Sequence, residues 1–404
     1  MNPTDARQRD RVRDLARQVA EIAGGTEQEA IRRRWRDVNA LRKPDRAPVW
    51  TSGSPPRPEP TCTDPYIRGV EQRLIWTLAT HDIGMDDVVE GTFGVPADLG
   101  IAPDRFWGPE IRKIKPDTPG GAFIDDPPLK TEADFDLLRQ PLFRYNEAAT
   151  QERAERAHEL FGDILPVVVL CPPGPPLLRQ LGSTAQELRG QEQLLYDVVD
   201  RPDLVHRLMM FLRDAVLQGM DQLEQLGLIT PYTLLGPTTY SDPIGPPLVD
   251  GRLTFKNCWI MGNNQTFCAI SPDMFQKFVL QYQKPILTRF GLCNYGCCED
   301  NSDRIDRILT IPNLRTFVCN AWTNLDKVIA ACGSDYVIKW EQKASEVVLP
   351  DDTAAIQRHL DDGARRLQGC RYQIVMRSVT TLAGHPNRLH EWTQLAKDAA
   401  EKYA

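Results

Sequence analysis

Apolar residues recur at helical spacing through much of the chain, and short apolar runs interrupt them at fairly regular intervals. Residues 1–45 hold two helix patterns broken at Gly24-Gly25, with Thr26 placed to cap the second. A proline-rich loop over 53–68 follows, and then Ile67, Val70, Leu74, Ile75 and Leu78 mark one face of a helix over 64–81. Residues 87–95 read as a short strand, and 96–130 as a long Pro/Gly-rich excursion of the kind that often covers a site. From residue 148 the alternation becomes regular. Helices are expected over 148–161, 201–227, 303–309, 324–331, 352–367 and 388–403. Apolar strand segments fall at 165–170, 232–235, 257–261, 292–295, 316–319, 336–340 and 372–376. Ser271-Pro272-Asp273 opens a further helix, which Pro285 should kink and Gly291 should end.

About eight strands alternating with helices predict an α/β chain whose parallel strands close into a (β/α)8 TIM barrel. Residues 46–404 form the barrel domain in this reading and 1–45 an N-terminal helical extension. No Gly-x-Gly-x-x-Gly follows an early strand and no Gly-Lys-Ser/Thr loop is present, which disfavours dinucleotide and nucleoside-triphosphate sites.

The net charge of −7 argues against nucleic acid or an anionic membrane as a partner. The basic run Arg32-Arg33-Arg34 is expected to be a solvated helix face. No apolar run approaches the roughly 18 residues of a membrane span, and the first twenty residues are charged, so a cytoplasmic location is expected. There the ten cysteines serve as core filler, ligand or nucleophile rather than as crosslinks.

Barrel chemistry sits at the C-terminal ends of the strands. Those ends carry Asn264 and Gln265, then Tyr295-Gly296-Cys297-Cys298-Glu299, Cys319, Glu341 and Arg377. Thiolates and carboxylates are both zinc ligands, so Cys297, Cys298, Glu299 and Cys319 are the candidate metal set. Small buried cysteines at strand ends are the alternative. Tyr295 and Glu341 are candidates for proton transfer, and Glu341 is also placed to pair with Lys339 or Lys343. Trp259, Trp322 and Trp340 are either barrel filling or an aromatic wall for substrate, with Asn264 and Gln265 beside them. Asp86 and Asp87 are expected to be solvated or capping groups.

The chain resembles the uroporphyrinogen decarboxylase-like superfamily, in its corrinoid-associated methyltransferase branch, over about residues 46–400. The stretches that carry this are Leu188-Arg189-Gly190, Ser271-Pro272-Asp273-Met274-Phe275, Tyr295-Gly296-Cys297-Cys298-Glu299, Ile311-Pro312-Asn313-Leu314-Arg315 and Arg388-Leu389-His390-Glu391-Trp392. The resemblance implies a barrel and a zinc-dependent methyl transfer between a small substrate and a corrinoid (cobalamin). In the methylcobamide:coenzyme M methyltransferases of the superfamily, a His-x-Cys segment and a distant Cys bind the zinc. Here the His position is Tyr295, which removes one standard ligand; Cys298 or Glu299 restores the count, with Cys319 a further candidate. The chain has no Asp-x-His-x-x-Gly segment, so the corrinoid is expected on a separate carrier protein. A homodimer is implied by the resemblance alone. Two alternatives stand beside this reading. One is a metal-independent lyase that decarboxylates a small acid, and the other is a binding protein without catalysis.

Overall fold

The computed structural model describes residues 3–102, 107–115, 124–171, 181–231 and 236–404. Eight strands run parallel to their neighbours: β1 (Val49–Thr51), β2 (Phe93–Pro96), β3 (Val167–Leu170), β4 (Trp259–Gly262), β5 (Leu292–Tyr295), β6 (Leu314–Cys319), β7 (Val337–Gln342) and β8 (Arg371–Met376). Six form one sheet in the order β1-β8-β7-β6-β5-β4, and β2 pairs with β3 separately. The sheet is strongly curled. Strands three places apart in a flat sheet lie about 14 Å from each other, yet Arg377 after β8 reaches the sulfur of Cys297 after β5 at 3.9 Å.

The architecture is therefore α/β with a half-barrel of six strands. Among the described residues no ladder joins β1 to β2 or β3 to β4, so a closed eight-stranded ring is not formed by strand pairing. The segment leading into β2 is tied to β1 instead: the Asp86 amide donates to the Val49 carbonyl at 2.9 Å. The strand expected at 232–235 lies outside the described residues. Strand β1, by contrast, is only three residues long and gives no periodic signal.

The excursion after β2 contains two short antiparallel pairs, Leu99–Ala102 with Leu142–Tyr145 and Arg112–Ile114 with Ile124–Asp126. Pro285 lies in the helix Gln281–Leu287, directly after a π turn over Gln276–Leu280. The wider turn is one way a helix absorbs a missing backbone donor. Among the described residues no helix is long and apolar enough to cross a membrane.

Helix α1 (Pro3–Ala23) packs Val12, Leu15 and Val19 into a core shared with Val70, Leu74 and Ile75 of α3 (Pro65–Asp82). Helix α2 (Thr26–Asn39) covers the start of β8, where the Asn39 side chain accepts from Gln373 and donates to the carbonyls of Thr238 and Tyr240. Two expectations are corrected here. Asp86 is fully buried rather than solvated: its carboxylate takes Arg34 at 2.7 Å, Arg46 at 2.7 and 2.9 Å, and the Val49 amide at 2.8 Å. Arg34, from the supposed solvated run, is likewise buried and binds Asp45 as well. These partners are distant in sequence, so local patterning could not reveal them.

Candidate active site

The site is assembled by one glycine and one asparagine. Gly296 ends β5 with φ +117°, a conformation that L side chains avoid, and a Cβ there would lie 2.7 Å from the Cβ of Val318. The chain can therefore turn sharply and hug β6. Asn320, just beyond β6, donates to the carbonyls of Glu299 at 2.6 Å and Cys297 at 3.3 Å. Its own carbonyl oxygen is held by the amides of Trp322 and Thr323. The Cys297-Cys298-Glu299 turn is thus clamped to the neighbouring strand end.

Within that turn the two sulfurs converge at 3.6 Å. Cys297 is buried and Cys298 exposed. Arg377 extends its guanidinium from the end of β8 to Cys297 Sγ at 3.9 and 4.0 Å and to Glu341 Oε1 at 3.4 Å. Lys339 stands two residues before Glu341 on the same face of β7. Its Nζ is 3.7 Å from Glu341 Oε1, fully buried and without a hydrogen bond. Ser378, held at φ +61°, follows Arg377 at the rim.

These contacts set the charges. The hydrogen bond between the two sulfurs, with Arg377 nearby, pulls the Cys298 thiol down to about 6. The same hydrogen bond and burial push Cys297 up. Arg377 touches Cys297 rather than Cys298, which by itself would favour charge on the inner sulfur. Burial beside Glu299 outweighs this, so the negative charge rests on the exposed Cys298. Burial lowers the Lys339 amine to about 8 and raises the Glu299 carboxyl. The arrangement presents a thiolate to solvent above two cations.

The other expected residues are distributed by strand parity. Tyr295 points to the outer face, where its hydroxyl donates to Gln283 at 2.7 Å and its ring packs against Gly262 and Phe275. Burial keeps its proton well above the ordinary range. Cys319 pairs in register with Trp340, also on the outer face; its sulfur lies 3.7 Å from the Thr323 carbonyl, and burial pushes it up to about 12. Glu299 is 3 % exposed, with one oxygen accepting from the Asn264 amide at 2.9 Å and the other unpartnered. Asn264 is buried in the same network, held by Asn301 and Arg304, whereas Gln265 is exposed.

The tryptophans do not share a wall. Trp259 opens β4 at the opposite end of the sheet and bonds Ser241 at 3.1 Å. Trp340 stacks on His359 of the covering helix, and Trp322 is 61 % exposed. A cavity of ≈ 310 Å³ lies beside the mouth, with Asn320, Trp340, Glu341 and His359 in its walls.

A zinc centre is testable on this geometry. Two thiolates on one tetrahedral zinc would sit about 3.8 Å apart, which the sulfur pair nearly matches. A catalytic zinc also needs a third protein ligand. Cys319 is on the outer face of β6, Glu299 gives one oxygen to the Asn264 amide and keeps the other without a partner, and the Arg377 guanidinium stands 3.9 Å from Cys297. Among the described residues no three His, Cys, Asp or Glu side chains come together as a metal requires. The residues present do not fit the expected zinc. Sequence reading placed the thiol turn and offered Lys339 as a partner for Glu341, but gave no role to Arg377. The signal was available: Lys339, Glu341 and the β8 end fall on one face by period two.

No protein-family model matches the chain. No curated protein matches it. Among solved structures, a methyltransferase from Methanosarcina mazei is similar over 93% of this chain and 99% of that chain, with a TM-score of 0.49 and 13% identity.

Proposed function

We propose that this chain is a methyltransferase that uses the mouth formed by Cys298, Cys297, Arg377 and Glu341 to react with a small molecule. The observation that supports this reading is the exposed thiol of Cys298, 3.6 Å from a second thiol that Arg377 touches, at the C-terminal rim of the strands. In this reading the Cys298 thiolate would take the proton of a small acceptor thiol, whose own sulfur attacks the methyl carbon while the corrinoid leaves with the bonding pair. The corrinoid that would carry the methyl group belongs to a separate protein in this reading. No step is drawn through zinc, because the donor set does not fit it.

Within the chain the roles are these. Cys297 donates its hydrogen bond to Cys298, Arg377 offsets the negative charge of the pair, and Glu341 holds Arg377 in place. Anaerobic incubation with methylcobalamin and a series of small thiols tests the proposal through the loss of methylcobalamin absorbance. Turnover by the wild type that disappears in Cys298→Ser supports it. No turnover with any acceptor, or full turnover in Cys298→Ser, overturns it.

The lyase reading keeps one specific observation, the two cations Lys339 and Arg377 beside the thiols, which suit an acidic substrate. Carbon dioxide release from small carboxylic acids without methylcobalamin would favour it over methyl transfer.

A further inference from the structure

Three buried arginines elsewhere in this protein are held by close carboxylate partners. Arg46 holds Asp86 at 2.7 and 2.9 Å, and Arg34 holds the same carboxylate at 2.7 Å. Arg189 grips Asp197 at 2.6 Å and the carbonyls of Leu129 and Lys130 at 2.6 and 2.8 Å. The two cations at the mouth differ. Lys339 is fully buried and its Nζ has no hydrogen-bond partner. Arg377 reaches Glu341 at 3.4 Å and a sulfur at 3.9 Å. Both lean on a single oxygen, Glu341 Oε1, at 3.4 and 3.7 Å. Charge-assisted hydrogen bonds are normally about 2.7–2.9 Å long, so neither cation is fully paired. On the same inner face, the side-chain N and O of Asn294 are also buried without partners.

Burying a cation without close partners is costly, and these two stand open together at the rim that bears the exposed thiol. We propose that the mouth binds a small carboxylate, with its two oxygens on the Arg377 guanidinium and its charge further offset by Lys339. A planar two-oxygen anion matches the guanidinium fork. The carboxylate of Glu341 in the wall disfavours a doubly charged anion such as a phosphate dianion. The inference rests on reading this mouth as the reacting site, and it names the substrate class. Arg377 is the binding residue, and Lys339 is a positioning residue that acts through charge.

The test uses no methyl donor, so its failure is separate from failure of methyl transfer. Limiting iodoacetate or iodoacetamide is offered to the whole protein at pH 7, and alkylation is read per cysteine by peptide mass spectrometry. In both reactions an S–C bond forms and iodide leaves with the C–I electron pair. The reagents differ mainly in that iodoacetate carries the carboxylate. Exposed Cys268 is the internal reference.

The expected result is an iodoacetate-to-iodoacetamide rate ratio roughly tenfold higher at Cys298 than at Cys268, the factor given by about 1.4 kcal/mol of binding preference. Propionate should slow alkylation of Cys298 by iodoacetamide and leave Cys268 unchanged. Arg377→Gln should remove the preference, Arg377→Lys should keep part of it, and Lys339→Met should reduce it severalfold. Equal ratios at the two cysteines of the wild type, or no protection by propionate, would overturn the proposal. So would a preference that survives both Arg377→Gln and Lys339→Met. The wild-type arms decide the matter even if a variant fails to fold.

Discussion

Replacing Lys339 with methionine should make the protein more stable at neutral pH. The amine is fully buried, has no hydrogen bond, and is held at about 8 against an ordinary value of 10.5, chiefly by burial. A displacement of that size corresponds to roughly 3 kcal/mol of destabilisation at neutral pH. The charged groups facing it are Glu341, Arg377 and Cys297. Methionine fills a similar unbranched volume without a polar end. Its cost is the loss of the 3.7 Å contact to Glu341, which keeps Arg377 at 3.4 Å. The displaced value already contains that contact, so the net gain stays at about 3 kcal/mol.

The sign with pH follows from proton counts. Between about 8 and 10.5 the unfolded chain binds more protons at this lysine than the folded one, so wild-type stability rises with pH through that window. The penalty is fully present below the window and gone above it. Urea titrations of both proteins, followed by tryptophan fluorescence and extrapolated linearly, should show the gain at pH 7 and its disappearance by pH 10.5. A methionine variant that is less stable at pH 7, or one whose advantage is the same at both pH values, would refute the reasoning.

Three further substitutions probe the frame around the mouth. Asp86→Asn removes the charge that both Arg34 and Arg46 share, and should cost about 3–5 kcal/mol in thermal or urea unfolding. Gly296→Ala forces a side chain into a φ of +117° and against Val318; a loss of about 1–3 kcal/mol and slower alkylation of Cys298 are expected. Cys319→Ala, on the outer face, should cost about 1 kcal/mol as a small core truncation and leave the alkylation rate of Cys298 unchanged.

Much of the architecture was readable from periodicity, because strands such as Tyr372–Met376 and helices such as Arg388–Lys402 carry strong apolar patterns over enough residues. Val49–Thr51 was not, since three residues followed by a proline-rich loop carry no period. The Cys297-Cys298-Glu299 turn was placed at a strand end by residue type alone. What could not be read was facing: a one-residue shift in parity reverses every side chain on a strand. That is why Tyr295 and Cys319 were grouped with the thiols although both point outward. Long-range pairing was equally hidden, as in Asp86, whose arginines lie 40 and 52 residues away.

The most direct measurement of the central claim is the pH dependence of Cys298 alkylation by iodoacetamide. The rate should reach half its plateau near pH 6, where Cys297 and Arg377 hold this thiol, with exposed Cys268 in the same sample as the reference. A Cys298 midpoint at or above that of Cys268 would contradict the assignment of a reactive thiolate to this mouth.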